Sequence, residues 1–305
     1  MVREKVQVGL IGAGRIGRLH AEHLAFRLPQ AHLVAVADVN RAAAETCAAA
    51  YRIPTVYDDY RFLLSAPDID AVVICSSTDT HARIIEEAAQ VGKHIFCEKP
   101  IDFDLQRIDQ ALAAVEKNGV KLQIGFNRRF DPHFHALREA IAAGKIGTPH
   151  LLRITSRDPA PPPLAYIQVS GGLFLDMTIH DFDMARYLIG SEVTSVYAVG
   201  GVRIDPQIGS VGDIDTAVIT LEFANGVIGT IDNSRQAVYG YDQRVEVLGS
   251  DGVLRAENPA SHCTVWGNAT GMHTPPLLHF FLERYQDSYL REMEAFLTAI
   301  LQDTP

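Results

Sequence analysis

The chain has 305 residues, of which 47% are hydrophobic and 21% charged, and its net charge is −10 at pH 7. This length predicts two domains, and the composition is that of a globular protein with a buried core. The negative charge argues against nucleic acid or an anionic membrane as a partner, because both need a basic protein face. The cysteines form no C-x-x-C pair, so we expect reduced thiols, a cytoplasmic protein and no metal site. The sequence shows neither a signal peptide nor a stretch long enough to span a membrane.

Residues 1–125 alternate between short strand-like runs and helical patterns. Strands are predicted at Val6–Ile11, Leu33–Ala37, Ala71–Ser76, His94–Cys97 and Lys121–Gly125. Helices are predicted at Arg15–Arg27, Arg41–Tyr51, Tyr60–Ser65, His81–Val91 and Leu105–Asn118. Such alternation, with strands rich in Val and Ile, is typical of a parallel sheet covered by helices on both faces.

Residues 126–305 follow a different pattern, so we place the domain boundary near residue 125. A helix is predicted at Pro132–Ala143 and a strand at LLRITSRD, after which several prolines over 159–163 predict an extended loop. Beyond Val193 the chain is rich in alternating strands, with hairpins predicted at Asn225-Gly226 and Asp251-Gly252. Apolar and aromatic residues at helical spacing predict a last helix over 282–300.

A glycine-rich motif of the form G-x-G-x-x-G stands where the first predicted strand ends and the first helix begins. It consists of Gly12, Ala13, Gly14, Arg15, Ile16 and Gly17. In a dinucleotide site Gly12 permits the tight turn, Gly14 lets the backbone approach the pyrophosphate, and Gly17 allows close helix–strand packing. The N–H groups at the helix start then bind phosphate. This context favours a dinucleotide site over a purely structural turn.

Asp38 ends the second predicted strand, where a carboxylate can accept the ribose hydroxyls of NAD and repel the extra phosphate of NADP. Its alternative role is to cap the next helix. Arg41 could receive a phosphate, so NADP stays the less favoured cofactor. A hydroxyl-rich stretch in the predicted crevice of the sheet supplies three more cofactor-binding candidates: Ser76, Thr78 and His81. Capping by Thr80 is the alternative function of that stretch.

Lys99, Asp176 and His180 are the candidate catalytic residues. Asp176 and His180 stand four residues apart, so a helix would project both from one face. Lys99 follows the predicted strand HIFC and precedes Pro100, at the sheet edge where ligands bind in this architecture. The alternatives are a solvated surface lysine and an ordinary ion pair on a helix surface.

Oxidation of an alcohol by NAD would give each of these residues a role. The protein must accept the hydroxyl proton and stabilise the developing alkoxide. His180 is the candidate base, since histidine ordinarily titrates near pH ~6.5. A Lys99 charge at ~4 Å and an effective dielectric of ~20 would stabilise an alkoxide by roughly 4 kcal/mol. Asp176 would hold a substrate hydroxyl or orient the lysine.

Several blocks spread over nearly the whole chain resemble the glucose–fructose oxidoreductase / inositol dehydrogenase (Gfo/Idh/MocA) family. They are G-A-G-R-I-G, Glu98-Lys99-Pro100, GFNRRFD (Gly125–Asp131), SRDPAPPP (Ser156–Pro163), GGLFLDMTIHDFDMARYL and NSRQAVYGYDQRVE (Asn233–Glu246). The resemblance implies an α/β Rossmann domain over 1–125 and an α+β domain over 126–305. The second domain is expected to bind substrate and to form homo-oligomers, most often tetramers, through a large, open, mostly antiparallel sheet. Family members usually continue for a further helix, so we expect either a trimmed sequence or a chain without that helix.

The resemblance also implies a reaction: NAD-dependent oxidation of the axial secondary alcohol of myo-inositol to a ketone. It assigns catalysis to Lys99, Asp176 and His180, which would also bind the substrate. Glu98 and Lys99 join the cofactor-binding candidates. Further candidates for contacts with cofactor or sugar hydroxyls are Asn127, Arg157, Tyr239 and Tyr285, although the tyrosines could equally serve in packing.

Two other functions stay open from the sequence. One is oxidation of a related sugar or of scyllo-inositol with NAD or NADP. The other is a sensor of the same fold that binds NAD and sugar without turnover. Lys99 and His180 argue against the sensor, which would have no need of a proton acceptor. A cyclic polyol suits a cleft rich in Asp, His, Lys, Arg and Tyr, because each hydroxyl needs a partner.

Overall fold

The structure, a computed structural model, describes residues 4–304. The chain divides into two compact units. The first runs to Asn127 and includes the chain again from Tyr289, and the second covers Arg128–Ser288. Within the described residues no helix has both the length and the hydropathy needed to cross a membrane.

The first unit is built on a parallel sheet of six strands in the order β3-β2-β1-β4-β5-β6. The strands are β1 (Val6–Ile11), β2 (Ala31–Ala37), β3 (Thr55–Tyr57), β4 (Ala71–Ile74), β5 (His94–Cys97) and β6 (Leu122–Ile124). The predicted parallel sheet is confirmed, with β3 as a short, half-buried edge strand that the sequence analysis missed. Strands β2 and β3 lie on one side of β1, and β4, β5 and β6 lie on the other. The strand order therefore reverses between β1 and β4, and their carboxyl ends flank the point where ligands bind in such sheets.

Helices cover both faces of this sheet. They are α1 (Arg15–Glu22), which continues as a π turn over His23–Arg27, α2 (Arg41–Tyr51), α3 (Tyr60–Ser65), α4 (Thr78–Gln90) and α5 (Leu105–Asn118). The buried side chains of β4 alternate between two apolar clusters: Val73 lies in one with Phe296, and Val72 and Ile74 lie in the other with Ile85. This alternation is the period of two that a strand buried on both faces requires.

The second unit contains a six-stranded sheet in the order β12-β11-β7-β10-β9-β8, in which β7 and β10 are parallel and the other neighbours antiparallel. The strands are β7 (Pro149–Arg157), β8 (Val193–Gly201), β9 (Thr216–Phe223), β10 (Ile228–Ser234), β11 (Asp242–Gly249) and β12 (Val253–Ala256). The mostly antiparallel sheet and both predicted hairpins are therefore confirmed. Gly226 has φ +86°, which its hairpin turn requires.

The remaining elements of the chain are short, apart from three helices. They are α6 (Pro132–Ala142), α7 (Leu164–Ile167), α8 (Ile179–Ile189), α9 (Pro206–Ser210), the hairpin of β13 (Trp266–Asn268) and β14 (Gly271–His273), α10 (Phe281–Arg284) and α11 (Gln286–Gln302). A π turn over Phe174–Thr178 leads directly into α8. The proline-rich segment before Leu164 is a loop, as predicted, and it bends at Pro159 and Ala160. Helices α6 and α8 pack against one face of the second sheet, while the other face stays largely exposed.

Candidate functional site

The glycine loop after β1 has the geometry that a dinucleotide requires. Gly12 has φ +99°, and a Cβ there would lie 2.5 Å from the Cys75 backbone. A Cβ on Gly17 would lie 2.0 Å from the Gly12 carbonyl oxygen, so this glycine allows the helix to approach the strand. Gly14 differs, because it is exposed and a Cβ there would meet no atom within 4 Å. Gly12 and Gly17 are therefore required by the fold, whereas the open space at Gly14 fits an approaching pyrophosphate.

Asp38 lies beside this loop at the end of β2. Its Oδ2 accepts a 2.7 Å hydrogen bond from the Ala13 N–H, and its Oδ1 accepts one of 2.8 Å from the Asn40 N–H. Asn40 itself caps α2 by accepting from the Ala43 N–H. Helix capping by Asp38, the alternative considered above, is therefore wrong. The carboxylate is instead fixed against the loop, half-buried, where a ribose would lie.

The crevice residues after β4 form a compact hydrogen-bonded group. The hydroxyls of Ser76 and Thr80 lie 2.7 Å apart, and Thr80 also donates to the Ser77 carbonyl oxygen. The N-cap residue of α4 is Ser77, which makes no side-chain capping bond. Thr80 lies inside the helix and is therefore not its cap. The buried ring of His81 lies 3.0 Å from the Ser76 carbonyl oxygen and 2.8 Å from that of Pro100.

Glu98 and Lys99 follow β5, and the Lys99–Pro100 bond is cis. Lys99 is half-buried, whereas the Glu98 carboxylate lies inside the first unit and bonds His20 Nε2 at 2.8 Å. Glu292, fully buried on α11, offers a carboxylate oxygen within 4.8 Å of both groups. Burial raises the pKa of Glu292 well above its ordinary value, and the nearby Glu98 carboxylate raises it further. Burial and the Glu98 charge thus both favour the protonated form of the Glu292 carboxyl group, while the contact of the Glu98 carboxylate is with His20.

Asp176 and His180 lie in the second unit, at the junction of the π turn and α8, and both are half-buried. Tyr166 donates a 2.7 Å hydrogen bond to Asp176 Oδ1. Arg235 Nη1 donates a 3.2 Å hydrogen bond to Asp176 Oδ2. The Asp176 carboxylate is thus held by a phenol and a guanidinium at once.

A buried polar network holds the start of α8 on the sheet. Asp181, fully buried, accepts a 2.6 Å hydrogen bond from Arg128 Nη1 and one of 2.8 Å from Asn233 Nδ2. The Thr178 hydroxyl donates to Asn233 Oδ1 at 2.6 Å. Burial raises the pKa of Asp181, while the Arg128 charge and the bond from Asn233 oppose that rise. Because Thr178 and Asp181 flank His180, the network fixes the backbone that carries the imidazole.

The other predicted substrate-binding residues have different surroundings. Arg157 lies on the exposed face of the second sheet, where it pairs with Asp232 at 2.6 Å and donates to the Tyr239 hydroxyl at 3.0 Å. Tyr285 is buried, with the guanidinium of Arg284 4.7 Å from its ring centre. The side chain of Asn127 is also buried, at the end of the first unit's continuous stretch.

Three residues beside Asp176 and His180 were missed by the sequence analysis: Asp158, Asp181 and Arg235. Each lies inside a block that carries the family resemblance, but no local pattern distinguishes its side chain from that of a surface residue. Burial and, to a smaller extent, the neighbouring Asp176 charge raise the pKa of Asp158 to about 7, against the opposing charge of Arg235. Asp158 and Asp176 are therefore close enough to interact.

Comparison with known proteins adds a family to this geometry. Residues 6–126 match the family described as an oxidoreductase family with an NAD-binding Rossmann fold, and residues 134–255 match the Gfo/Idh/MocA C-terminal domain. The chain belongs to the Gfo/Idh/MocA oxidoreductase family. Its first unit thus contains an NAD-binding Rossmann domain, as the glycine loop and Asp38 predict.

Relatives within the Gfo/Idh/MocA family cover nearly all of the chain. The inositol 2-dehydrogenase of Rhizobium meliloti is 51% identical over 97% of this chain and 88% of its own length. The myo-inositol 2-dehydrogenase of Thermotoga maritima is 49% identical over 98% of this chain and 90% of its own. The crystal structure of scyllo-inositol dehydrogenase from Lactobacillus casei, with bound NAD(H) and scyllo-inositol, has a TM-score of 0.92 and 32% identity. That match covers 98% of this chain and 90% of the other.

The glycine loop yields a matched pair of variants. We expect Gly17→Ala to lower the melting temperature by several degrees, because a Cβ 2.0 Å from a backbone oxygen forces the helix away from the strand. Gly14→Ala should change the melting temperature by no more than about 2 °C, yet weaken NAD binding at least ~10-fold, or about 1.4 kcal/mol. Thermal unfolding and titration with NADH measure the two effects. Equal losses of stability in both variants would contradict this division.

Asp158 predicts a pH-dependent stability. An unfolded aspartate titrates near ~3.9, so between that pH and about 7 the folded protein holds one proton more than the unfolded chain. Stability should therefore fall as the pH rises through this window. Asp158→Asn removes this titration. The melting temperature of the variant should therefore rise relative to that of the unmodified protein as the pH increases from 5 to 8. Asp109→Asn on the exposed surface of α5 is the control, and a pH-independent difference for Asp158→Asn would refute the assignment.

Proposed function

We propose that this protein oxidises a secondary alcohol of myo-inositol to 2-keto-myo-inositol with NAD. The observation that carries the proposal is the anchored pair of Asp176 and His180 at the start of α8, in a chain whose Rossmann domain presents Lys99 at the edge of its sheet. Two relatives that are 51% and 49% identical to this chain bear the names inositol 2-dehydrogenase and myo-inositol 2-dehydrogenase, which supports the same substrate.

In the proposed reaction each of three side chains has its own role. NAD, when bound, supplies the acceptor for the hydride that leaves carbon. His180 accepts the hydroxyl proton as general base. The Lys99 ammonium group stabilises the negative charge that develops on oxygen. Asp176 accepts a hydrogen bond from the substrate, and its own contacts with Tyr166 and Arg235 fix the direction of that acceptor.

The glycine loop and Asp38 would hold the dinucleotide. Gly14 leaves open space for a pyrophosphate, and Asp38 lies against the loop with its carboxylate already oriented by the Ala13 N–H. A carboxylate at this place favours NAD over NADP, since the additional phosphate would be repelled. Among the remaining candidates, Asn127, Arg157, Tyr239 and Tyr285 stay predictions for substrate contacts, and the cytoplasmic location stays a prediction as well.

Oxidation of scyllo-inositol or of a sugar is the nearest competing function. The myo-inositol relatives are 49% and 51% identical to this chain, against 32% for the scyllo-inositol dehydrogenase of known structure, so we favour myo-inositol. A sensor without turnover is less consistent with an anchored Asp176–His180 pair, because binding alone needs no base.

The test is steady-state oxidation of a panel of inositols and hexoses, followed as NADH formation at pH 8 to 9. We expect the highest kcat/KM with myo-inositol and NAD. Lys99→Ala and His180→Ala should each lower kcat by ~100-fold or more, the size of a lost general base or charge stabiliser. Lys117→Ala, on the exposed end of α5, is the matched control.

Three results would overturn the proposed function in different ways. Higher kcat/KM with scyllo-inositol or a hexose would change the substrate. Binding of NADH and inositol without turnover would favour the sensor. Unchanged kcat in Lys99→Ala would remove that residue from the reaction.

We also propose that the exposed face of the second sheet joins copies of this chain into a homo-oligomer, with a tetramer as the expected size. The strand register places Ile228, Leu151, Leu248 and Val253 side by side on four adjacent strands. All four side chains are at least 40% exposed. Beyond Ile228 the register places Glu222 and Ser195, and a second group of exposed apolar side chains, Tyr197, Val199 and Val218, lies further along β8 and β9 on the same face. Contiguous exposed apolar residues on a sheet are typical of a protein–protein interface, and a self-complementary face suits a symmetric dimer contact.

A charged side chain in this apolar row should dissociate the oligomer into smaller species. We expect Leu151→Glu to lower the molar mass in solution, measured by light scattering, because it buries a charge opposite the partner's apolar row. Val91→Glu is the control, since Val91 is 52% exposed at the end of α4 and belongs to the first unit. An unchanged mass for Leu151→Glu, or a monomeric unmodified protein, would contradict the proposed interface.

A further inference from the structure

Arg235 is the largest fully buried side chain of the described chain, at 1% exposure. It follows β10 directly and carries a charge that is retained at any pH a protein tolerates. Burial of such a group is costly unless acidic partners and hydrogen bonds compensate it. The acidic partners of Arg235 therefore indicate which side chains Arg235 holds in place.

The partners of Arg235 are two carboxylates. Nη1 donates a 3.2 Å hydrogen bond to Asp176 Oδ2, and Nη2 lies 3.6 Å from Asp213 Oδ2. Within residues 4–304, Nε and Nη2 make no hydrogen bond, so Asp176 receives the direct hydrogen bond of this guanidinium. Tyr166 donates to the other oxygen of Asp176, so the two donors hold one carboxylate oxygen each.

Asp213 connects the same guanidinium to the turn that precedes the π turn. Its Oδ1 accepts a 2.9 Å hydrogen bond from the Leu173 N–H. A Cβ on Gly172, which has φ +77°, would lie 2.7 Å from this oxygen, so the glycine allows the carboxylate to approach. Asp213 and Arg235 together hold both the entry to the π turn and the carboxylate that the turn presents.

We propose that Arg235 is a positioning residue for the oxidation: bridging Asp213 and Asp176, it holds the Asp176 carboxylate in the orientation that receives a substrate hydroxyl. This inference rests on the proposed function. It adds a residue that touches neither of the reacting atoms and that acts through Asp176. Without the guanidinium, Asp176 Oδ2 loses the hydrogen bond that fixes its direction, and an acceptor misplaced by ~1 Å is enough to cost ~100-fold in rate.

The test is a double-mutant cycle of Arg235→Met and Asp176→Asn in the full-length protein, with myo-inositol and NAD. Methionine matches the length of the buried stem and removes the charge. Arg235→Met alone should lower kcat/KM ~10- to 100-fold. In the Asp176→Asn background the same change should cost less than about 2-fold, because the group through which Arg235 acts is already lost. Arg235→Lys, which keeps a charge but not the fork, should recover part of the loss.

A pH profile separates positioning from general disruption. The charged or titratable groups near Asp176 include Arg235, Asp213, Asp158, Tyr166 and, one turn along, His180. Arg235→Met removes the positive charge that lies between Asp176 and Asp213. Loss of this charge favours the protonated forms of nearby groups, so the acidic limb of kcat/KM should move to higher pH. Arg291→Met, an exposed arginine on α11, should change neither the rate nor the profile.

Melting temperatures of the same four proteins supply a readout that does not depend on turnover. Coupled losses of melting temperature are expected, since Asp176→Asn relieves the unpaired charge that Arg235→Met creates. Rate losses that multiply in the double variant, or an unmoved acidic limb, would overturn the positioning role even if the melting temperatures are coupled. No turnover of any polyol by the unmodified protein would instead refute the proposed function, and the role of Arg235 in it.

Discussion

The position of α8 on the second sheet depends on a buried carboxylate, that of Asp181. It has no access to water, so it is stable there only while Arg128 and Asn233 hold it. Removal of one partner from a buried ion pair costs on the order of 3–5 kcal/mol, because the remaining charge cannot be solvated. Apolar packing would let α8 slide or rotate on the sheet with a small penalty, whereas these bonds permit one register. The orientation of His180 follows from that register.

The first unit fixes its site in another way, and this difference explains what could be predicted from sequence. Its loop is defined by steric limits on the backbone, as at Gly12 and Gly17, and such limits leave a local pattern of glycines. Strand β1 and helix α2 were predicted to the residue for a similar reason, since period and capping are local. The missed strand Thr55–Tyr57 is short and half-buried at an edge, where neither signal is strong.

In the second unit, the sequence blocks that contain the candidate site residues could be predicted, but the contacts between those blocks could not. Arg128 and Asp181 are 53 positions apart, and Thr178 and Asn233 are 55 apart, so no spacing rule connects them. Arginine and aspartate are usually exposed, which made the buried pair look like surface charges. Arg157 illustrates a second limit. Along a strand the side chains alternate between faces, so Arg157 lies on the open face while its neighbour Ser156 is buried and bonds Gln243.

Lys99 and His180 are held by the same device, although one is in a Rossmann domain and the other on a helix over a mixed sheet. Neither side chain is fully buried, but in each case the flanking residues are anchored. Glu98 is held by His20 and the Pro100 carbonyl lies against the His81 ring, while the neighbours of His180 are held through Asn233. In the proposed reaction such a side chain needs freedom to meet and release its substrate. Anchoring the backbone on both sides leaves that freedom to the last bonds of the side chain, so the cost of burial falls on residues that do no chemistry.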